Sequence, residues 1–251
     1  MSVFEQLKAL RDQCGEQQTV GLPDATIQRF LSHDNNLAEA ITEAVKAQKQ
    51  LKAQYGDLFA KSETDLITAL QEGLVNFYSR EATNPYVAIA AKGPWIITSH
   101  GAVVHDNGGY GMLGFGHDPD SIRDAMSGHQ VMANVMTPNF SQLTFDKSLR
   151  QELGHNWKGG KDPFAKFICM NSGSESVTVA ARISDVNAKI QTDPGGKHEG
   201  KQIYLMSLAG GFHGRTDRPA QASDSTLGGY QVLASFRDRT NLYTIVPNCK
   251  Q

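Results

Sequence analysis

The sequence predicts an α/β protein in which a helical N-terminal segment and a β-meander precede a parallel sheet. Residues 36–55 of the 251-residue chain are rich in Ala, Lys, Glu and Gln, which favour helices. Short β-branched and aromatic runs separated by glycine follow Lys92, and strand-like and helix-like segments alternate after Lys161. These three observations divide the chain into a helical segment (1–91), a meander with helices (92–160) and the start of an α/β domain (161–251).

The composition limits the classes of function. Hydrophobic residues make up 39% of the chain, enough for a folded core. The 24 Lys and Arg residues against 26 Asp and Glu give a formal net charge of −2, without the broad positive field that nucleic acid requires. No apolar run approaches the ~18–20 residues of a membrane span. Three distant cysteines without a CxxC pair favour a reduced, cytoplasmic protein. From the net charge and the short apolar runs, we expect no nucleic-acid or membrane partner.

The N-terminal segment is predicted to form helices whose role is packing. The apolar positions of the 36–55 helix keep to one face: Leu37, Ile41, Val45 and Leu51. A second helix is expected to begin at Ser62, which can cap the unpaired amides of its first turn. Its apolar stripe is predicted to run through Leu66, Leu70, Leu74 and Phe77.

The segment after Lys92 is predicted to be a β-meander. Its strands are expected at 95–98, 102–106 and 110–113, with a tight turn at Asn107-Gly108. A helix is expected to follow, with Asp118 at the capping position and Pro119 in the first turn.

The last segment is predicted to hold parallel strands at 165–170, 202–207 and 242–246, with a helix from Ser174 to about residue 191. Ligands bound to parallel sheets gather at the carboxyl ends of the strands. Turns follow the first two of these strands, and we expect the two turns to meet at that edge.

Several familiar sites are absent from the sequence or out of context. The GxGxxG at residues 109–114 lies within the meander, whereas a dinucleotide site needs it between a strand and a helix that starts at once. The eight histidines form no HExxH motif, so we expect no metal site. His100, His105 and His117 are interpreted as ordinary polar positions. Neither a Walker A loop nor a GxSxG elbow is present.

The two turns are the candidate sites, and each has a functional and a purely structural interpretation. Residues 171–176 (NSGSES) open a predicted helix, where unpaired N–H groups bind phosphate, but Ser172 or Ser174 could simply cap that helix. From this motif alone, capping is favoured. Residues 210–216 (GGFHGRT) offer the aromatic face of Phe212 between glycines, although such a loop alone is more often structural.

Taken together, these residues resemble the class III (ω-type) aminotransferases, which use pyridoxal 5'-phosphate (PLP) on the fold type I scaffold. NSGSES is similar to that family's N-S-G-[TS]-E-[AS] phosphate segment, and GGFHGRT is similar to its G-x-[FY]-H-G-R-T loop. Upstream, residues 105–119 are similar to the meander that ends in G-H-x-[HD]-P. The three blocks have the family's order and spacing, over roughly residues 92–251.

The resemblance implies a fold type I parallel sheet, a PLP cofactor and transfer of an amino group from an amine or ω-amino acid to a 2-oxo acid. It implies that Gly173 and Ser174 hold the cofactor phosphate with Ser172 beside them, that Phe212 stacks on the pyridine ring, and that His213 lies close by. It also implies a homodimer, and it assigns 92–160 to the small domain and dimer region and 161–251 to the large PLP-binding domain.

The sequence departs from the family in three places. Asp217-Arg218-Pro219 replaces small apolar residues, and residues 1–90 are longer and more helical than the family's opening. The family's Schiff-base lysine lies C-terminal of the third block, and no lysine of this chain is assigned to that role. We therefore expect an N-terminal portion of a longer polypeptide, or a second chain that supplies the other half.

Other functions remain open. One is a non-catalytic homologue that binds an anion, PLP or a protein partner. Another is a PLP-dependent aminomutase, racemase or decarboxylase, since one scaffold hosts all of these chemistries. A nicotinamide-dependent oxidoreductase is supported only by the misplaced GxGxxG.

Overall fold

The computed structural model describes residues 1–75, 84–108, 114–129, 131, 134, 136–160, 162–234 and 242–247. The chain is a mixed α/β protein with helices and small sheets, and it divides into two compact units, Met1–Ala133 and Asn134–Gln251. The sequence-based boundaries near residues 91 and 160 stay predictions. Among the described helices, none combines the length and the apolar character that crossing a membrane requires.

The first unit consists of helices followed by short strands. Its helices are α1 (Val3–Arg11), α2 (Asp24–Leu31), α3 (Asn35–Phe59), α4 (Glu63–Gln71) and, after the strands, α5 (Asp120–Ser127). Its strands are β1 (Ala88–Lys92), β2 (Trp95–Thr98) and β3 (Val103–His105).

The strands of the first unit form an antiparallel sheet in the order β1-β2-β3. Lys92 pairs with Trp95 across the first turn, and Trp95 pairs with His105. The predicted meander is thus confirmed for the strands near 95–98 and 102–106. It starts earlier than predicted, because β1 lies within residues interpreted as helical. The strand predicted at 110–113 lies outside the described residues.

The core of the first unit lies between α3 and this sheet. Its apolar side chains are almost fully buried: Leu7, Leu10, Ile27, Leu37, Ile41, Trp95, Ile97 and Val103. The Trp95 indole meets Phe30 edge-on with ring centroids 4.9 Å apart, and its Nε1 donates to Asp34 Oδ2 at 2.8 Å. The predicted apolar face of the 36–55 helix is therefore confirmed at Leu37 and Ile41.

Local capping is confirmed at α4 and corrected at α5. The Ser62 hydroxyl accepts from Asp65 N–H as predicted, although α4 ends at Gln71 and Leu74 is exposed beyond it. Phe77 lies outside the described residues. At α5 the prediction of an Asp118 cap is wrong, because Pro119 occupies the N-cap position without a side-chain cap. The Asp118 carboxylate instead accepts from Arg123 at 2.7 Å.

The second unit has helices around a pair of parallel strands. Its elements are α6 (Phe140–Gly154), α7 (Gly173–Thr192), β4 (Leu205–Leu208), α8 (Asp217–Ala222), α9 (Asp224–Gln231) and β5 (Leu242–Ile245). Leu205 pairs with Leu242 and Leu208 with Ile245, which confirms the parallel arrangement expected of the last two predicted strands.

The strand predicted at 165–170 is wrong, since the structure shows no strand over these residues. The Arg150 guanidinium, on α6, donates to the carbonyls of Phe164 and Ala165 at 2.6 and 3.3 Å. The same group also pairs with Asp146 and Asp162. The chain is therefore tied to α6 at the start of the apolar run, and the run pairs with no strand among the described residues and enters α7 as irregular chain.

Candidate functional site

The N-terminus of α7 is closed by a capping box. Ser172 has extended backbone geometry, and its Oγ accepts from Glu175 N–H at 3.2 Å. The Glu175 carboxylate returns to accept from the N–H groups of Ser172 and Asn171, at 3.1 and 2.9 Å. The structural interpretation of this motif, that Ser172 caps its own helix, is therefore confirmed.

The capping box leaves part of the helix end open. Gly173, the first residue of α7, is exposed, and a Cβ added there would meet no atom within 4 Å. Ser174 follows it and is half-buried. The N–H groups of a first helical turn carry a partial positive charge and attract anions. The space over Gly173 therefore has the character that a phosphate group requires.

The second candidate segment, residues 210–216, follows β4 directly and is called the glycine loop here. Gly210 has a φ of +74°, where side chains are unfavourable, and its N–H donates to Asp224 Oδ2 at 2.6 Å. Within the loop, the Phe212 side chain is 56% exposed, so one aromatic ring is available to a ligand.

His213 is held at both its backbone and its ring. Its N–H donates to Ser223 Oγ at 2.7 Å, and Ser223 donates in turn to Pro219 O at 2.7 Å. Its Nε2 lies 3.3 Å from Ser207 Oγ, at the carboxyl end of β4. Ser223 is fully buried and Ser207 is 7% exposed, so both hydroxyls belong to the framework of the loop.

The helix end and the glycine loop meet at Ser174 and Gly214. Gly214 has a φ of +126°, and a Cβ on it would overlap Ser174 Oγ and lie 3.1 Å from Ser174 Cβ. The structure thus brings Ser174 against the glycine loop, with Ser172 and Gly173 at the preceding positions of the helix end. Phe212 and His213 lie within the same loop. What each of these five residues binds stays a prediction.

The departure at 217–219 supports this junction. Asp217 lies in the first turn of α8, and Arg218 forms an ion pair with Asp185 on α7. Pro219 is buried, and its Cβ would lie 2.9 Å from a Cβ on Gly214. Arg218 therefore connects α8 to α7, and Pro219 packs against the glycine loop.

Sequence reasoning missed Ser207, Ser223 and Asp224. Ser207 ends a predicted strand. Ser223 directly precedes α9 and Asp224 is its first residue, and this capping-type pair was the available signal for a helix start. Their hydrogen bonds to the glycine loop depend on the fold, because each joins residues on different elements.

His100 and His117 make hydrogen bonds within the first unit. His100 is buried, with its ring nitrogens near Ser99 Oγ and Lys61 O at 3.0 and 2.9 Å. His117 Nε2 lies 2.9 Å from Asp106 Oδ2. Among the described residues, no three His, Cys, Asp or Glu side chains form a group suited to a metal ion. Residues 109–113 of the GxGxxG lie outside the described part of the chain.

The chain matches solved structures but no family model and no curated sequence. Among solved structures, the chain is similar to an omega-aminotransferase from Paracoccus denitrificans, with a TM-score of 0.47 and 16% sequence identity. The match covers 71% of this chain and 38% of that aminotransferase chain, so this chain spans well under half of its length.

Proposed function

We propose that the end of α7 and the glycine loop bind PLP, and that the chain provides these contacts in a PLP-dependent aminotransferase of fold type I. The reaction proposed is transfer of an amino group from an amine or ω-amino acid to a 2-oxo acid. The observation that carries the proposal is the packing of Gly214 on Ser174, because it joins the two segments whose sequences resemble the phosphate and ring contacts of class III aminotransferases.

The residues of the junction suit the cofactor chemically. Gly173 and Ser174 would hold the phosphate through their backbone N–H groups, since Glu175 already accepts from those of Asn171 and Ser172. The exposed Phe212 ring would cover a face of the pyridine ring. PLP supplies an electron sink for chemistry next to an amino group. The residues of this chain bind and orient it, and we assign the lysine of the reaction to none of them.

The second candidate is a binding module without catalysis. It is favoured by the sequence, because no lysine of this chain is assigned to the Schiff-base role. Such a module would bind phosphate or PLP at the same junction, so cofactor affinity alone does not separate the two functions. A transfer assay with amine donors, 2-oxoglutarate and PLP, on the chain mixed with a candidate C-terminal half, separates them by the appearance of glutamate.

Binding at the junction is tested with pyridoxamine 5'-phosphate, which has no aldehyde and therefore cannot bond to surface lysines. Titrations would follow its fluorescence with the full chain, with inorganic phosphate as competitor. Gly173→Ala places a methyl group in the open space over the helix end. We expect it to lower the affinity for both ligands by about tenfold or more. Phe212→Ala should weaken pyridoxamine phosphate and leave phosphate affinity unchanged.

Gly228→Ala is the matched control, because Gly228 is also an exposed helical glycine with open space around it. It should bind both ligands as the wild-type chain does. Unchanged affinity in both Gly173→Ala and Phe212→Ala would reject the junction as the cofactor site.

A further inference from the structure

We infer that Ser207 is a positioning residue for His213. It holds the imidazole through Nε2, so that Nδ1 is presented to the ligand of the glycine loop. The presentation of Nδ1 to a ligand rests on the proposed function. The hydrogen bond itself belongs to the chain alone and can be tested without cofactor.

Ser207 and His213 are within hydrogen-bond distance of each other. Ser207 Oγ lies 3.3 Å from His213 Nε2, and Ser207 is only 7% exposed. Ser207 Oγ also lies 3.4 Å from the carbonyl oxygen of Leu208. A hydroxyl has one proton to donate, so a Ser207 that donates to Leu208 accepts from His213 Nε2–H. This arrangement leaves the proton on Nε2 and the lone pair on Nδ1.

Gly211 lies next to Ser207 and His213. A Cβ on Gly211 would lie 3.1 Å from Ser207 Oγ and 3.4 Å from His213 Nε2, and 2.8 Å from Leu208 O. A side chain at Gly211 would therefore overlap Leu208 O and crowd the Ser207 hydroxyl, so the glycine keeps the space around that hydroxyl open.

The backbone of His213 is held by a separate hydrogen bond. Ser223 holds the backbone N–H of His213, which leaves the ring torsions as the remaining freedom. The ring is exposed toward solvent, and among the described residues Nδ1 has no hydrogen-bond partner. A ring anchored at one nitrogen presents the other at a defined position.

The test is a spectroscopic one on the full chain without cofactor. With ¹⁵N-labelled histidine in mildly alkaline buffer, the Nε2 proton of His213 should give a signal protected from exchange with water. His213→Gln assigns that signal by removing it. We expect Ser207→Ala to abolish the protection and Ser207→Thr, which keeps the hydroxyl, to restore it.

Ser225→Ala is the control, because the Ser225 hydroxyl donates to Gly211 O at 3.1 Å and so touches the same loop without touching His213. It should leave the His213 signal in place. An Nε2 proton equally protected in Ser207→Ala, or a protection lost equally in Ser225→Ala, would overturn the inference.

A second measurement separates this inference from the proposed function. Ser207→Ala should weaken pyridoxamine 5'-phosphate by about fivefold, the usual effect of one hydrogen bond. If the wild-type chain binds no pyridoxamine phosphate, the proposed function fails while the exchange result still decides the role of Ser207. If the wild type binds it and Ser207→Ala binds equally well, the ligand-positioning role of Ser207 is rejected.

Discussion

The side chain of Ser174 packs directly on the backbone of Gly214. A Cβ at Gly214 would overlap the Ser174 hydroxyl and lie 2.9 Å from Cβ of Pro219. The φ of +126° at Gly214 is also one that other residues rarely adopt. The contact between the helix end and the glycine loop therefore depends on a residue without a side chain.

Gly214→Ala is expected to destabilise the chain by about 1–3 kcal/mol, because it adds both backbone strain and overlap with Ser174. It should also weaken pyridoxamine phosphate, since the two segments of the site are pushed apart. Urea unfolding gives the first effect and ligand titration the second. The paired variant Gly228→Ala, in a helix with open space, should be neutral or up to about 1 kcal/mol more stable. Equal stability of Gly214→Ala and the wild type would contradict the packing described.

Ser172→Ala is expected to cost about 1 kcal/mol of stability through loss of the α7 cap. Ser172→Asp, which keeps an acceptor at the N-cap, should retain most of that stability. Ser176→Ala serves as the control, because its hydroxyl donates to the carbonyl of Ser172 within the helix and is expected to contribute within about 0.5 kcal/mol. The measurement is urea unfolding followed by circular dichroism. A loss in Ser176→Ala as large as that in Ser172→Ala would argue against the capping role.

Trp95→Ala should cost about 3–5 kcal/mol, because the indole fills the core between α3 and the meander. Trp95→Phe should cost less, since it loses the bond to Asp34 but keeps an aromatic ring in the core. Trp157 is 59% exposed, and Trp157→Ala should change the free energy of unfolding by no more than about 0.5 kcal/mol. Thermal unfolding of the three variants checks the order. A small effect at Trp95 would show that the core is centred elsewhere.

Acid should destabilise the first unit partly through Asp120. The hydrogen bond from Lys92, at 2.5 Å, together with the charges of Lys92 and Arg123, lowers the pKa of the Asp120 carboxyl. A carboxyl whose pKa is lower in the folded state stabilises the fold above its unfolded pKa, about 4, and loses that contribution as the pH falls through the folded value.

The measurement is urea unfolding over a series of acidic pH values. Asp120→Asn should be less stable than the wild type near neutral pH, and the difference should shrink toward zero as the pH falls below that of an ordinary aspartate. Asp57→Asn, at an exposed position on α3, should run parallel to the wild type at every pH. A constant gap between Asp120→Asn and the wild type would exclude titration of Asp120 as its cause.

Elements set by local chemistry were predictable from the sequence. The caps at Ser62 and Ser172 involve residues three positions apart, and the strands at β2 and β4 have the apolar, β-branched or aromatic character of strands. Such features depend on torsional preference and near-neighbour hydrogen bonds, which the local sequence contains.

Elements whose structure depends on partners distant in the sequence could not be predicted in this way. β1 has an alanine-rich sequence (AIAAK) with little strand preference, and it is a strand because it pairs with β2 and packs against α3. Residues 165–170 have strand-like composition, but they pair with no described strand, and Arg150 on α6 binds the carbonyls of Phe164 and Ala165 at their start. In both cases a tertiary contact outweighs a weak local preference.

The site shows the same division. The helix end at Ser172–Ser174 and the loop with Phe212 and His213 could be recognised from the sequence, because glycine, serine and aromatic residues have recognisable roles at such positions. The contact between Ser174 and Gly214, and the hydrogen bonds of Ser207 and Ser223 to His213, became visible only in the folded chain. These contacts join residues on different helices, strands and loops, and their distances are set by how those elements pack together.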